Sequence, residues 1–133
     1  MGRLNGETVV VTGASRGLGE SMAKRFAREG ANTVLTARSG DELEAVADAA
    51  EGETLVIPAD VTDEATVEAL VETTVEEYGE LTGLVNNAAI GMLSLYDERR
   101  TVTEIDADDW RKIVDVNVTG AFLCAKHAAQ AMD

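Results

Sequence analysis

Cysteine, histidine and proline each occur once among the 133 residues of this chain, and lysine only three times. Each scarcity excludes something. A lone cysteine, Cys124, rules out an internal disulfide, and its place within an expected helix marks it as a small packed thiol. The lone histidine, His127, has no second ligand or acidic partner beside it in sequence, so it reads as a helix-surface residue and no metal site is expected. With one proline and 45% hydrophobic residues, disorder is excluded and helices and strands should follow one another closely. No apolar run approaches the ~20 residues of a membrane span, and the N-terminal stretch is too short for a signal peptide, so no membrane partner and a cytoplasmic location are expected. Lysine scarcity belongs to a wider imbalance: 25 acidic against 11 basic residues leave a formal net charge of -14. Such a surface repels nucleic acid and keeps a protein soluble by self-repulsion. Acidic and poor in lysine, it resembles proteins adapted to high salt, where screening removes the repulsion; the alternative is an ordinary acidic protein.

Length sets one domain spanning residues 1–133, able to bury roughly two thirds of its unfolded surface. Thr8 to Thr12 reads as a fully buried strand and Leu18 to Glu29 as a helix with Met22, Ala23 and Phe26 on one side, ending near Gly30. Thr33 to Thr36 is a second short strand. Ser39 and Glu42 have capping-box spacing, and Leu43, Val46, Ala47 and Ala50 follow at helical spacing until Gly52. Thr54 to Ile57 is a third strand before Pro58; Thr62 opens a helix with Asp63 and Glu64 in its first turn and Val67, Leu70, Val71, Val75 and Tyr78 as its buried stripe. Leu84 to Asn86 makes a fourth strand, Ile90 to Ile105 a loop with short structured pieces, and Asp106 the cap of the last helix. Strands that are apolar throughout and alternate strictly with helices specify an α/β fold: a doubly wound parallel sheet of about four strands, covered on both faces. No repeats, low-complexity tracts or linkers interrupt it.

Val9-Val10-Val11-Thr12-Gly13-Ala14-Ser15-Arg16-Gly17-Leu18-Gly19 runs the first strand into a glycine-spaced turn and then a helix. A dinucleotide pyrophosphate needs backbone N–H groups aimed at it, a helix dipole behind them and no side chains in the way, and this arrangement supplies all three. Thr12, Gly13, Ser15, Arg16, Gly17, Leu18 and Gly19 are therefore candidate cofactor contacts. A plain tight turn is the alternative for a lone glycine triplet, but here strand and helix flank it.

The Gly-x-x-x-Gly-x-Gly spacing, one residue longer than the common dinucleotide fingerprint, resembles the short-chain dehydrogenase/reductase family when Thr12 stands before it. Asp60-Val61 follows the third strand, where that family contacts adenine. Asn86-Asn87-Ala88-Ala89 resembles its Asn-Asn-Ala-Gly motif, and Val116-Asn117-Val118-Thr119-Gly120 its helix motif carrying an active-site asparagine. The resemblance spans essentially the whole chain and implies a Rossmann-type fold, with Asn87, Ala88 and Ala89 on the nicotinamide side. Ala89 in place of the glycine is the one departure and crowds that side slightly.

Charge bears on the choice of cofactor. An acidic residue at the end of the second strand would bind the ribose hydroxyls of NAD, but Thr36-Ala37-Arg38 stands there. Arg38, with Arg16 approaching from the glycine turn, forms a phosphate fork, so NADP is expected over NAD. For each arginine the alternative is a solvated surface charge.

Hydride transfer to or from a carbonyl also needs a group that gives or takes the hydroxyl proton. In the family this is a tyrosine with a lysine four residues later, preceded by a serine. Here Thr82 and Arg100 follow Tyr78 and Tyr96 at that distance, so the Tyr-x-x-x-Lys pair is absent. The resemblance implies that it and the serine lie beyond Asp133, after a fifth strand. Of the family's catalytic four only Asn117 remains; its implied role is to distort the helix so that a backbone carbonyl binds a water of the proton relay. The expected function is that of an oxidoreductase moving a hydride between NADP(H) and a small alcohol or carbonyl, with this chain the cofactor-binding part and inactive alone. The alternative is a non-catalytic NADP-binding module or a half-domain completed by a partner chain.

Trp110, Ile113, Val114 and Ala121 line one face of the last helix, while Val116, Val118, Phe122, Leu123 and Ala125 spread apolar surface around the rest. The family's equivalent helix helps form a subunit interface, so a homo-oligomer through this helix is expected.

If the acidic surface is a high-salt adaptation, the melting temperature rises between low and molar KCl as repulsion is screened. A melting curve unchanged by salt would identify an ordinary acidic protein.

Overall fold

A run of five uncharged residues with every side chain buried, Thr8–Thr12, forms β1 in the interior of the computed structural model, which describes residues 2–133. Around it the chain alternates: α1 (Gly17–Arg28), β2 (Asn32–Thr36), α2 (Gly40–Ala49), β3 (Thr54–Val56), α3 (Glu64–Tyr78), β4 (Gly83–Val85), α4 (Met92–Tyr96), α5 (Ala107–Val114) and α6 (Ala121–Met132). The strands form one parallel sheet in the order β3-β2-β1-β4, with Val10 opposite both Val34 and Leu84, and Val34 opposite Leu55. Parallel neighbours cannot be joined by a tight turn, so each connection crosses a face of the sheet as a helix.

Alternate side chains of β1 and β2 feed two cores. Val9, Val11 and Leu35 pack with Ala23 of α1 and Leu43 and Val46 of α2 on one face. Val10 and Val34 pack with Leu70 and Val71 of α3 and Ala128 of α6 on the other. Burial on both sides is why these strands are apolar without alternation. A third cluster, Val61, Val67, Leu123 and Cys124, wedges α6 against the start of α3. The architecture is a doubly wound, Rossmann-like α/β fold.

Helix α2 shows which effect dominates locally. Ser39 Oγ accepts the Glu42 N–H at 3.4 Å, one half of the expected capping box. Such a cap contributes about 1 kcal/mol. Full burial of Leu43 contributes about 1.5–3 kcal/mol. Packing, more than capping, holds the helix. It ends at Ala49, with Ala50 already extended; Gly52 lies in the bend beyond, at φ +153°.

Elsewhere the structure corrects local expectations. Asp63, not Thr62, caps α3, its Oδ1 accepting the Ala65 N–H at 3.1 Å, because the Thr62 hydroxyl is committed to Asp60 Oδ1 at 2.7 Å. Asp106 occupies the position before α5 but makes no side-chain cap. The buried stripe of α3 includes Thr74, whose hydroxyl donates to the Leu70 carbonyl at 2.8 Å. Trp110 is 58% exposed and the buried face of the last helix is carried by Leu123, Cys124 and Ala128, so Trp110 does not belong to the inward face. In the 90–105 segment, α4 and a short 3₁₀ turn at Val102–Glu104 are the only regular pieces. Arg100 stacks over the Tyr96 ring at 4.2 Å, and the Tyr96 hydroxyl donates to Asp109. Among the described residues, no helix is long and apolar enough to cross a membrane.

Candidate functional site

The carboxyl ends of β1 and β4 are sewn together by one side chain. Thr12 Oγ1 accepts the N–H groups of Asn87 and Ala88, each at 2.9 Å, and donates to the Val85 carbonyl at 3.3 Å. Asn87 Nδ2 returns the link by donating to the Gly13 carbonyl at 3.2 Å, and the Ala14 N–H reaches the Thr36 carbonyl at the end of β2 at 3.2 Å. Three strand ends thus meet at one point.

Glycine is required there for two reasons. Gly13 turns at φ +65°, and a Cβ on it would lie 3.0 Å from Ala88 Cα and Asn87 Nδ2. A Cβ on Gly19 would overlap the Gly13 carbonyl oxygen and Asn87 Nδ2. The turn delivers the chain into α1, whose preceding residue, Arg16, is extended and makes no side-chain cap. The first N–H groups of this 12-residue helix are therefore not consumed by a capping side chain, and the positive end of its dipole faces outward.

Over these strand ends lies a cleft of about 410 Å³. Gly13, Ser15 and Arg16 form one wall, Arg38 another, and Asp60 and Val61 a third, with Asn87, Ala88 and Ala89 closing it. Thr12 stands behind the wall, buried, as does Gly19, while Leu18 is 69% exposed and lies outside the cleft with Gly17. Ala37, Ser39, Glu42, Ala59, Ile90 and Val116, which no motif in the sequence singles out as site residues, also line the cleft. Ser39 and Glu42 were legible only as a helix cap; nothing in their spacing signalled a second use.

Asp60 is fixed as an anion. Its Oδ1 accepts both the hydroxyl (2.7 Å) and the N–H (2.9 Å) of Thr62, which hold its carboxyl below the usual carboxylate range, and the Arg38 guanidinium lowers it further against the opposing effect of burial.

Asn117 lies where the last helix opens into a π segment, Asp115–Gly120. Its amide clamps one residue from both sides, Oδ1 accepting the Ile90 N–H and Nδ2 donating to the Ile90 carbonyl, each at 2.8 Å. The segment after β4 is thereby tied to the helix, and Asn86 Nδ2 adds a bond to the Ala121 carbonyl at 3.0 Å. Gly120 permits the approach, since a Cβ there would lie 2.6 Å from Val61 Cγ2. π segments of this kind are frequent at functional sites.

Other titratable groups lie elsewhere. The Cys124 thiol is pushed up to about 11 by burial and is a packing residue. His127 does have an acidic partner, Glu64, whose Oε2 lies 2.9 Å from Nε2; with 11% of its side chain exposed it is a half-sheltered link between α3 and α6. The Tyr78 hydroxyl donates to Glu53 at 3.0 Å and that of Tyr96 to Asp109, both hydroxyls being raised above the usual tyrosine range, and neither lines the cleft. Among the described residues no three His, Cys, Asp or Glu side chains converge as a metal site.

Comparison with known proteins follows the same outline. The short chain dehydrogenase family model matches residues 7–133. Glucose 1-dehydrogenase 2 of Bacillus subtilis (strain 168) is 35% identical over 133 residues, covering 97% of this chain and 50% of the relative. Among solved structures, a 3-ketoacyl-(acyl-carrier-protein) reductase from Brucella melitensis complexed with NADH superposes with a TM-score of 0.89 at 35% identity, over 96% of this chain and 51% of that one. A metagenomic short-chain oxidoreductase in complex with NADP gives 0.85 at 31% identity, over 96% and 57%. The chain spans about half the length of the curated relatives it matches.

Replacing Thr12 by valine keeps the shape but strands the Asn87 and Ala88 N–H groups. Thr12→Val should lower unfolding free energy by about 1–3 kcal/mol in urea, with Thr12→Ser close to the parent. A loss in Thr12→Ser with Thr12→Val close to the parent would assign the effect to packing of the threonine methyl instead.

Proposed function

The chain belongs to the short chain dehydrogenase family, and from that premise we propose that it is the cofactor-binding portion of an NADP-dependent oxidoreductase acting on a small-molecule alcohol or carbonyl. The single observation that carries the cofactor reading is the pairing of Arg16 and Arg38 on the walls of one cleft, with no acidic residue at the end of β2. Two guanidinium groups suit the 2′-phosphate that distinguishes NADP. The solved relatives include complexes with either cofactor, so they do not favour one.

Glycine at 13 and 19 lets the turn close tightly onto Asn87 and Ala88, and the cleft of about 410 Å³ above the strand ends is open to a dinucleotide. In this reading Gly13, Ser15 and Gly17 with the N–H groups opening α1 hold the pyrophosphate, the dipole favouring its charge. Thr12, Gly19 and Leu18 shape that turn from behind and beside it. Asp60, kept ionised by Thr62, accepts from the adenine amino group while Val61 packs beside the ring. Asn87, Ala88 and Ala89 border the nicotinamide. The bound cofactor supplies or accepts the hydride. Asn117 holds Ile90, and with it the substrate-side segment, and the π segment around it frees backbone carbonyl capacity for an ordered water.

Proton transfer to the substrate oxygen needs a further group. Tyr78 and Tyr96 are engaged by carboxylates away from the cleft, and no Tyr-x-x-x-Lys pair occurs in these residues. We therefore propose cofactor binding without turnover for residues 1–133, in a cytoplasmic setting. That same absence supports a second reading, a nucleotide-binding module without turnover or a half-domain completed by another chain. NADPH-dependent carbonyl reduction by the 133-residue chain alone would refute both.

Arg38→Asp is the direct test of cofactor choice. NADP affinity should fall at least about tenfold, the value of losing hydrogen bonds to a charged group, while NAD affinity holds or rises. An unchanged NADP/NAD ratio by titration calorimetry would sink the assignment.

Self-association through the last helix follows from Trp110, Val118 and Phe122, exposed by 58%, 61% and 61%. Sedimentation should show a dimer or larger species that Phe122→Glu weakens; a monomer at all concentrations would contradict it.

A further inference from the structure

The charges around the proposed 2′-phosphate position do not add up to a cationic pocket. Arg16 and Arg38 supply two positive charges, but Glu42 and Asp60 line the same cleft with two negative ones. The two carboxylates are not alike. Asp60 is tethered by Thr62 and lies in the field of Arg38. Glu42, on the first turn of α2, makes no ion pair and no side-chain hydrogen bond among the described residues, while its backbone N–H is held by Ser39 Oγ. Its carboxylate is exposed and free to turn toward the ribose.

We propose that Glu42 is a specificity-determining residue that opposes the two arginines. Its carboxylate accepts from the ribose 2′-hydroxyl of NAD and repels the 2′-phosphate of NADP. The acid that dinucleotide-binding folds place at the end of β2 is here supplied from the next helix. The cleft then takes both cofactors, and the preference is a balance of Glu42 against Arg16 and Arg38 instead of a single switch. This inference rests on reading the cleft as a nicotinamide dinucleotide site.

A 2′-phosphate carries about -1.5 to -2 charges at pH 7. Removing one negative charge from beside the 2′-phosphate should tighten NADP binding about three- to tenfold. In titration calorimetry of the protein, Glu42→Gln should therefore raise NADP affinity by that factor and lower NAD affinity. Adenosine 2′,5′-bisphosphate against 5′-AMP should show the same contrast without the nicotinamide. Because the screening length falls to about 3 Å at 1 M salt, the gain should shrink below about twofold in molar KCl. A purely structural role for Glu42 would give neither the phosphate dependence nor the salt dependence.

NADP affinity unchanged in Glu42→Gln, equal shifts for both cofactors, or a gain that persists in molar KCl would each overturn the inference. Arg38→Asp separates it from the reading beneath. If Arg38→Asp is silent while Glu42→Gln moves the NADP/NAD ratio, the arginine assignment fails and Glu42 stands. The reverse result removes Glu42 alone. If neither cofactor binds either protein, both fall.

Discussion

The site depends on the hydroxyl of Thr12. A parallel sheet ends in a row of strand termini whose backbone groups have left the ladder and must find partners. Thr12 Oγ1 takes two of them, the Asn87 and Ala88 N–H groups, and returns its proton to Val85. An aliphatic residue of the same shape would fill the space and satisfy none. With β4 fixed to β1 in this way, the Asn87 side chain can reach Gly13, and the glycine turn acquires a floor. The need for glycine at 13 and 19 follows from that floor, because it is Asn87 and the neighbouring carbonyl that a Cβ would strike. The cleft is thus a consequence of how a sheet of this order closes its ends, and Arg16, Arg38 and Asp60 are arranged on a frame already fixed.

Much of this was legible in the residues. Five uncharged residues followed by Gly13 leave little choice for the bounds of β1, and the glycine spacing locates α1 to within a residue. Errors arose where one side chain had two competing uses. Thr62 is a good helix cap by type, but Asp60 two residues earlier claims its hydroxyl, and Asp63 takes the cap. Thr74 is polar by type, yet it bonds the carbonyl one turn back and so can be buried within α3. Glu42 reads as a helix-start residue and only folding shows that this start opens onto the cleft.

A second class of miss is long-range. His127 lies 63 positions from Glu64, and no local pattern announces the contact. Both Lys126 and His127 reach the same Glu64 oxygen, and together with Cys124 and Leu123 packed on Val67 they fasten α6 to the beginning of α3. Asn117 is the intermediate case: the motif named the residue, while its partner, Ile90, lies in a segment without readable periodicity. Trp110 misled in the opposite way, since a large aromatic at helical spacing suggests a core position, whereas the neighbouring elements leave it exposed.

Charge connects the site to the whole molecule. A net charge of -14 repels any dinucleotide at long range, and repels the phosphorylated one more strongly. Salt screens that repulsion first, because it acts over many ångströms between exposed groups, whereas the hydrogen bonds of a phosphate with Arg16 and Arg38 act at contact and are screened less. On the proposed reading of the cleft, added salt would weaken the general opposition to NADP and the local opposition from Glu42 before it weakened a contact with the two arginines. An acidic protein with a balanced cleft would for this reason favour the phosphorylated cofactor increasingly as ionic strength rises, the opposite of the usual loss of phosphate affinity in salt. The same acidic surface would then also set the conditions under which a cofactor preference is expressed.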